Sequence, residues 1–206
     1  MTLNIKKVNR ISSGDNLVYL LNNLNDLNIT KLTEDERSYV RKQVKKQEKE
    51  YLAINRFNQW VFIQFVNKKK ADYKTLEDLR KAGNKIYSAL NEAKAESATL
   101  IDFTSKGQLV LALAEGMGLS SYQFLKYKTG KDNTPATLSE LKILAHTIKK
   151  DEVVSIGVIK DAVFKCRDMV NEPVATMNAE KLAETVKEMG AECGARVEVM
   201  GKKKIE

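Results

Sequence analysis

Gln59-Trp60-Val61-Phe62-Ile63-Gln64-Phe65-Val66 is the stretch that decides the fold. Trp60, Phe62 and Val66 fall on one side of an extended chain, and Val61, Ile63 and Phe65 on the other. A strand with one wet face would alternate apolar with polar. This one is apolar on both sides, which fits a central strand of a sheet covered on both faces. Such a sheet needs helices above and below it, so the expected class is α/β.

The flanking sequence supplies those helices. Downstream, Leu76, Leu79, Gly83, Ile86, Leu90 and Ala93 recur at steps of three and four, the stripe of a long half-buried helix. Lys68 to Asp72 forms the intervening turn. Ala98 to Phe103 reads as a short strand. Leu109, Ala112, Leu113, Gly116, Ser120 and Phe124 repeat the helical spacing, with small residues that let this helix lie close to the sheet. After a loop at Thr129 to Pro135, Leu138 to Ile148 is another candidate strand. Upstream, Leu3 to Ile11 alternates weakly as an edge strand, and Asn16 to Leu21 is a second strand followed by an Asn-rich loop through Asn28. Thr33-Glu34-Asp35-Glu36 is a capping-box-like start for a polar helix reaching about Glu50. Residues 1–150 are therefore expected to form one mixed α/β domain.

Asp151 and Glu152 open a further helix, placed where negative charge suits the positive helix end. Its stripe is Ile156, Ile159, Val163, Cys166 and Val170, and it should stop before Glu172-Pro173 because the residue preceding a proline avoids helical geometry. Residues 151–173 thus read as a linker helix. Asn178 caps a helix over Ala179 to Met189 that ends at Gly190, and Arg196 to Met200 alternates as a strand. One helix and one strand cannot bury their own apolar face, so residues 174–206 read as the start of a second α/β domain.

The 206 residues carry a net charge of +8, with a pI of about 9.3. Much of the excess sits in Arg41 to Lys49, Lys68 to Lys70 and Lys202 to Lys204. None of these runs interleaves aromatics or glycine as base-stacking surfaces do, so they read as solvated lysine faces. A nucleic-acid partner is carried as the lesser alternative. No apolar run approaches the ~20 residues of a membrane span, and residues 1–7 lack a signal-peptide core. Two cysteines, Cys166 and Cys193, make no disulfide framework, and a reducing cytoplasm is the expected home.

Val163-Phe164-Lys165-Cys166-Arg167-Asp168-Met169-Val170-Asn171-Glu172-Pro173 closely resembles the segment that joins the two domains of leucyl aminopeptidases, the cytosol aminopeptidase family. Ala112-Leu113-Ala114-Glu115-Gly116, then Tyr122-Gln123-Phe124 and Tyr127-Lys128-Thr129, is similar to an upstream helix of that family and its exit. The likeness covers residues 98–206, while residues 1–97 agree in layout. It implies a macro-domain-like N-terminal domain followed by a catalytic domain with two divalent metals, zinc or manganese. The implied parent is a hexamer that removes N-terminal residues from peptides. Its metal-binding motifs, resembling GKGITFDSGG and NTDAEGR, do not occur here. No catalytic or metal-binding residue is carried over, and this chain is expected to hold no cofactor and to be inactive alone. Its partner is then its own catalytic domain, and Arg167, Asp168, Asn171, Glu172 and Pro173 are assigned to the domain junction.

The residues agree with that expectation. A two-metal hydrolase needs several converging carboxylates, and the acidic residues here are scattered singly. His146, the only histidine, lies on the expected last strand without a useful partner and reads as structural. Cys166, on an apolar stripe, reads as an inert core thiol, and Cys193 as an unremarkable thiol in the Gly190-to-Gly194 turn. Arg167 and Asp168 are adjacent on a helix and do not face each other, so each is expected to find a separate partner. Gly107 and the Gly116-x-Gly118 pair do not match a phosphate loop, and the latter reads as close helix packing. The alternative function is a macro-like binding module for nucleic acid or an ADP-ribose-type ligand.

Overall fold

The computed structural model describes residues 2–47, 50–67, 71–130 and 134–205. The Lys68 to Lys70 run, the middle of the Thr129 to Pro135 loop and the end of the Arg41 to Lys49 run lie outside the described residues. The chain divides into two compact units, Met1–Ala162 and Val163–Glu206.

The first unit is built on six strands: β1 (Asn4–Lys7), β2 (Asn16–Leu21), β3 (Tyr51–Asn55), β4 (Trp60–Phe65), β5 (Ser97–Asp102) and β6 (Glu140–Leu144). Their order is β1-β6-β5-β2-β4-β3. All neighbours are parallel except β3, which pairs antiparallel with β4. The sheet is mixed, as expected. β1 lies on one edge, and β4 is an interior strand, buried on both faces from Val61 to Phe65.

The two-faced reading of β4 holds residue by residue. Phe62 and Val66 join Val18, Leu20 and Leu100 under α2 (Asp72–Glu92) and α3 (Gly107–Ser120). Val61, Ile63 and Phe65 join Leu17, Tyr19 and Leu21 under a 3-10 helix (Leu24–Ile29) and α1 (Glu34–Gln47). Among the described side chains of α1, Val40 alone is fully buried, so that helix keeps its polar face in water. Its expected capping box is present: Glu36 N donates to Thr33 Oγ1 (3.2 Å) and Thr33 N to Glu36 Oε2 (2.8 Å).

α2 and α3 cross with their backbones in direct contact. A Cβ on Gly116 would lie 2.1 Å from Arg80 O, and one on Gly83 would lie 2.4 Å from Leu113 O. Gly116 therefore serves the approach of α3 to α2, while Gly118 faces Ile5 of β1 at the sheet edge. Arg80 and Glu115 bridge the crossing at 2.7 Å. The helical pattern was expected to run on to Phe124, but α3 stops at Ser120, where Ser121 Oγ and N both return to Gly118 O.

Four other expectations change. The Asn-rich loop contains the 3-10 helix, which Asn23 and Asp26 cap reciprocally. β3 occupies residues left without an element. His146 lies beyond β6 in an exposed bend, because the strand ends at Leu144. Residues 196–200 form no strand, and the described residues of the second unit contain no other strand to take ladder bonds.

α4 (Lys150–Asn171) carries the boundary between the units and ends before Glu172-Pro173, as the proline requires. Val153 and Ile156 are buried in the first core, and Lys160, 5% exposed, donates to Leu3 O (2.9 Å). Further along its stripe Ile159 is 51% and Val170 83% exposed, and Cys166 is exposed as well. The expected core thiol is thus a free surface thiol, because the apolar stripe is left uncovered there. In the second unit, Asn178 caps α5 (Ala179–Glu192) by accepting from Lys181 N (2.9 Å). Val197 packs on Gly190, Lys165 pairs with Glu192, and a single turn, α6 (Lys202–Ile205), follows.

Candidate functional site

Parallel strands open their carboxyl ends on one edge of the sheet, and there the connections leaving the parallel neighbours β2 and β5 run to opposite sides, towards β3 and β6 respectively. β2 leads to the 3-10 helix and α1 on one face, and β5 leads to α3 on the other. In open α/β sheets, ligands bind in the crevice at such a switch point. A cavity of about 230 Å³ sits here, lined by Asn22, Val66, Asp72, Thr75, Thr104, Lys106, Gln108 and Leu109.

Local geometry fixes the walls. Asn22 Nδ2 donates to Phe103 O (3.2 Å), tying the exit of β2 to that of β5. Asp102 Oδ1 accepts from Thr104 N (2.8 Å) and Thr104 Oγ1 (2.7 Å), holding the turn in which Ser105 has φ 58°. α3 then begins at Gly107, with Lys106 as an N-cap that makes no side-chain cap bond. Gly107 therefore does lie in a strand-to-helix turn, contrary to the sequence reading, because β5 and α3 are only four residues apart. A Cβ at Gly107 would lie 2.9 Å from Ile148 Cγ2, so close packing is what glycine serves there. α2 starts beside it, also without a side-chain cap at Ala71. The lining offers a cation at Lys106, a carboxylate at Asp72 and the amino ends of two helices.

At the opposite, amino-terminal edge a charged network is buried. Lys142 Nζ donates to Asp15 Oδ1 (2.9 Å) and Oδ2 (3.1 Å), to Ser12 Oγ (3.2 Å), and meets Glu140 at 3.2 Å. Thr99 and Ser97 hydroxyls complete the Asp15 carboxylate at 2.6 and 2.8 Å. Burial pushes the Asp15 carboxyl up, but bonds from Thr99, Lys142 and Ser97 outweigh it and hold it below its ordinary 3.8. The bonds to Asp15 raise Lys142 above its ordinary 10.5. With every oxygen partnered, this cluster is a structural tie between β2, β5 and β6. Sequence reasoning missed it, although a lysine between Leu141 and Ile143 on an interior strand is the signal that it needs a buried partner.

A second tie joins α1 to the β3–β4 hairpin. Arg56 meets both Glu36 oxygens at 2.6 Å and donates to Gln59 Oε1 (2.9 Å) and Lys31 O (3.0 Å). The bidentate Arg56 bonds hold Glu36 below the usual carboxylate range.

Arg167, Asp168 and Asn171 stand exposed in the last turns of α4, with Glu172 half-buried and Pro173 exposed beyond it. Glu172 N donates to Asp168 O (3.1 Å), and Thr176 N and Met177 N both close on Pro173 O (2.8 Å). Cys193 is a free, exposed thiol at the end of α5. Among the described residues, no three His, Cys, Asp or Glu side chains converge to hold a metal ion, so the residues present do not fit a dinuclear centre. No helix is long and apolar enough to cross a membrane among the described residues.

Residues 68–131 match the model of the "Cytosol aminopeptidase family, N-terminal domain". A probable cytosol aminopeptidase of Clostridium perfringens is 30% identical over 143 residues, 64% of this chain and 29% of that protein. One from Treponema denticola is 32% identical over 152 residues, 71% of this chain and 31% of that protein. The chain thus spans less than a third of the length of these curated relatives. Among solved structures, a mutant of tomato leucine aminopeptidase matches with a TM-score of 0.74 at 13% identity, over 99% of this chain and 45% of that one. The apo leucyl aminopeptidase of Trypanosoma cruzi matches with a TM-score of 0.56 at 12% identity, over 94% and 42%. At such identities the structural likeness speaks for the fold.

Proposed function

Because this chain belongs to the cytosol aminopeptidase family, whose N-terminal domain it carries, we propose that it is the non-catalytic assembly or regulatory part of a leucyl aminopeptidase. The observation that carries this reading is the match of residues 68–131 to the family's N-terminal domain. In this reading residues 1–150 are the scaffold, 151–173 the linker helix and 174–206 the opening of the catalytic domain. Arg167, Asp168, Asn171, Glu172 and Pro173 form the junction. The whole protein hydrolyses N-terminal residues from peptides in the cytoplasm, as a hexamer with two zinc or manganese ions that belong to its catalytic domain. No step of that hydrolysis is assigned to residues of this chain. Purified residues 1–206, supplied with zinc or manganese, are expected to release no leucine from leucyl-p-nitroanilide; turnover that scales with chain concentration would overturn the reading.

A second reading is favoured by the switch-point cavity: a binding module for an ADP-ribose-type ligand, seated by Lys106 and the uncapped start of α3. Calorimetry with ADP-ribose should then give saturable heat, weakened about tenfold in Lys106→Ala through loss of a charge-assisted bond. A flat titration, with no salt-dependent shift of duplex DNA, removes this second reading and leaves the first untouched.

A further inference from the structure

Two hollows of the first unit differ in how their charges are used. In the groove beside β1 and β6, Glu140 pairs with Lys6 and lies 3.2 Å from Lys142, so the lining charges there satisfy one another. The switch-point cavity is different. Its Lys106 ammonium and Asp72 carboxylate have no hydrogen-bond or ion-pair partner among the described residues. Asp102 does not serve Lys106, because its oxygens take the hydroxyls of Thr104 (2.7 Å) and Thr147 (3.2 Å).

The rest of the lining narrows what the cavity accepts. Asn22 spends Nδ2 on Phe103 O, which leaves its Oδ1 as an acceptor. Thr75 donates its hydroxyl to Ala71 O (3.3 Å) and Thr104 donates to Asp102, while Val66 and Leu109 are apolar. The first amides of α3, on Gly107 and Gln108, find no carbonyl within their own helix. An unpaired cation, an unpaired carboxylate and an aliphatic wall thus line one cavity. Its volume of about 230 Å³ lies below the ~300–1,000 Å³ of pockets that enclose drug-sized ligands, so the occupant it encloses is small.

We propose that this cavity is an effector site for a free aliphatic α-amino acid. Lys106 and the Gly107 and Gln108 amides take its carboxylate, and Asp72 with Asn22 Oδ1 takes its ammonium. Val66 and Leu109 cover its side chain. A simple anion leaves Asp72 unused and a simple cation leaves Lys106 unused, whereas a zwitterion engages both through charge-assisted bonds. The inference rests on the regulatory part of the proposed function and names its effector, a molecule of the same class as the product of the whole protein's proposed reaction.

NMR titration of isotope-labelled residues 1–206 with L-leucine tests it. The Gly107 and Gln108 amides are expected to shift saturably. Lys106→Ala and Asp72→Asn change exposed side chains, so circular dichroism should stay native while each weakens binding about tenfold. Two truncated probes separate the ends of the ligand. Leucinamide lacks the carboxylate and should bind wild type and Lys106→Ala equally weakly; N-acetyl-leucine lacks the ammonium and should do the same with wild type and Asp72→Asn. No saturable shift with leucine, or binding that neither substitution weakens, overturns the proposal. Shifts of these amides with ADP-ribose but not with leucine also overturn it, in favour of the second reading. Turnover of leucyl-p-nitroanilide overturns the underlying regulatory reading, and it is measured separately from the shifts.

Discussion

Asp15→Ala is expected to lower stability by roughly 3 kcal/mol, because removing one partner leaves a buried ammonium without its main counter-charge. The carboxylate joins β2 to β6 through Lys142 and to β5 through Ser97 and Thr99. Its loss therefore strands two hydroxyls as well as the lysine. Glu140 stays at 3.2 Å from Lys142, which places the cost at the lower end of the range for a broken buried pair. The double variant Asp15→Ala, Lys142→Met should recover much of the loss, since an apolar pair needs no counter-charge. Urea denaturation of the three proteins measures this, and a single variant within 0.5 kcal/mol of wild type, about the scatter of ordinary surface changes, would show that the tie carries nothing.

The same pair contributes to the pH dependence of stability. The folded Asp15 carboxyl lies below its ordinary 3.8, so its contribution is fully present above that value and is lost as pH falls through the folded one. Lys142 lies above its ordinary 10.5, so its contribution is present below that value and is lost only as pH rises through the folded one. Asp15→Asn should flatten the acid limb of the stability curve and leave the neutral plateau lower.

Gly116→Val should be the most damaging change outside the charged network. The added Cβ would meet Arg80 O at 2.1 Å and Arg80 Cα at 2.6 Å, backbone atoms that cannot swing aside. The helices must separate, uncovering Leu79, Leu113 and Met117 beneath them. Overpacking of a core costs about 1–3 kcal/mol, and a branched side chain against backbone belongs at the top of that range or above it. Gly116→Ala should be milder, since better helix propensity returns up to ~1 kcal/mol. Gly157→Ala is the contrast: nothing lies within 4 Å of its Cβ, so propensity acts alone and the change should stabilise. Thermal melts of the three variants separate the two effects.

What the sequence made legible was periodicity. The two apolar faces of β4, the stripe of α2 and the caps at Thr33 and Asn178 are local patterns, and each produced its element. β3 escaped because five residues next to a polar helix give too short an alternation to stand out. The Gly83–Gly116 crossing was half legible: the small residues were plain, but which neighbour they served depends on a contact far along the chain. Cys166 and Val170 continue a helical stripe that is buried at Ile156 but exposed at their own positions, and periodicity cannot tell a covered stretch of stripe from a bare one. The site was less legible still. Asp15, Ser97, Thr99 and Lys142 meet only because β2, β5 and β6 are neighbours, and the switch-point cavity exists only once the strand order is known. The junction run, by contrast, was read from a resemblance.

The central claim is that this chain is a scaffold whose metals belong elsewhere in the protein. Metal content after equilibration of residues 1–206 with zinc or manganese and gel filtration tests that claim most directly. Well below one ion per chain is the predicted result; two tightly held ions per chain would contradict it.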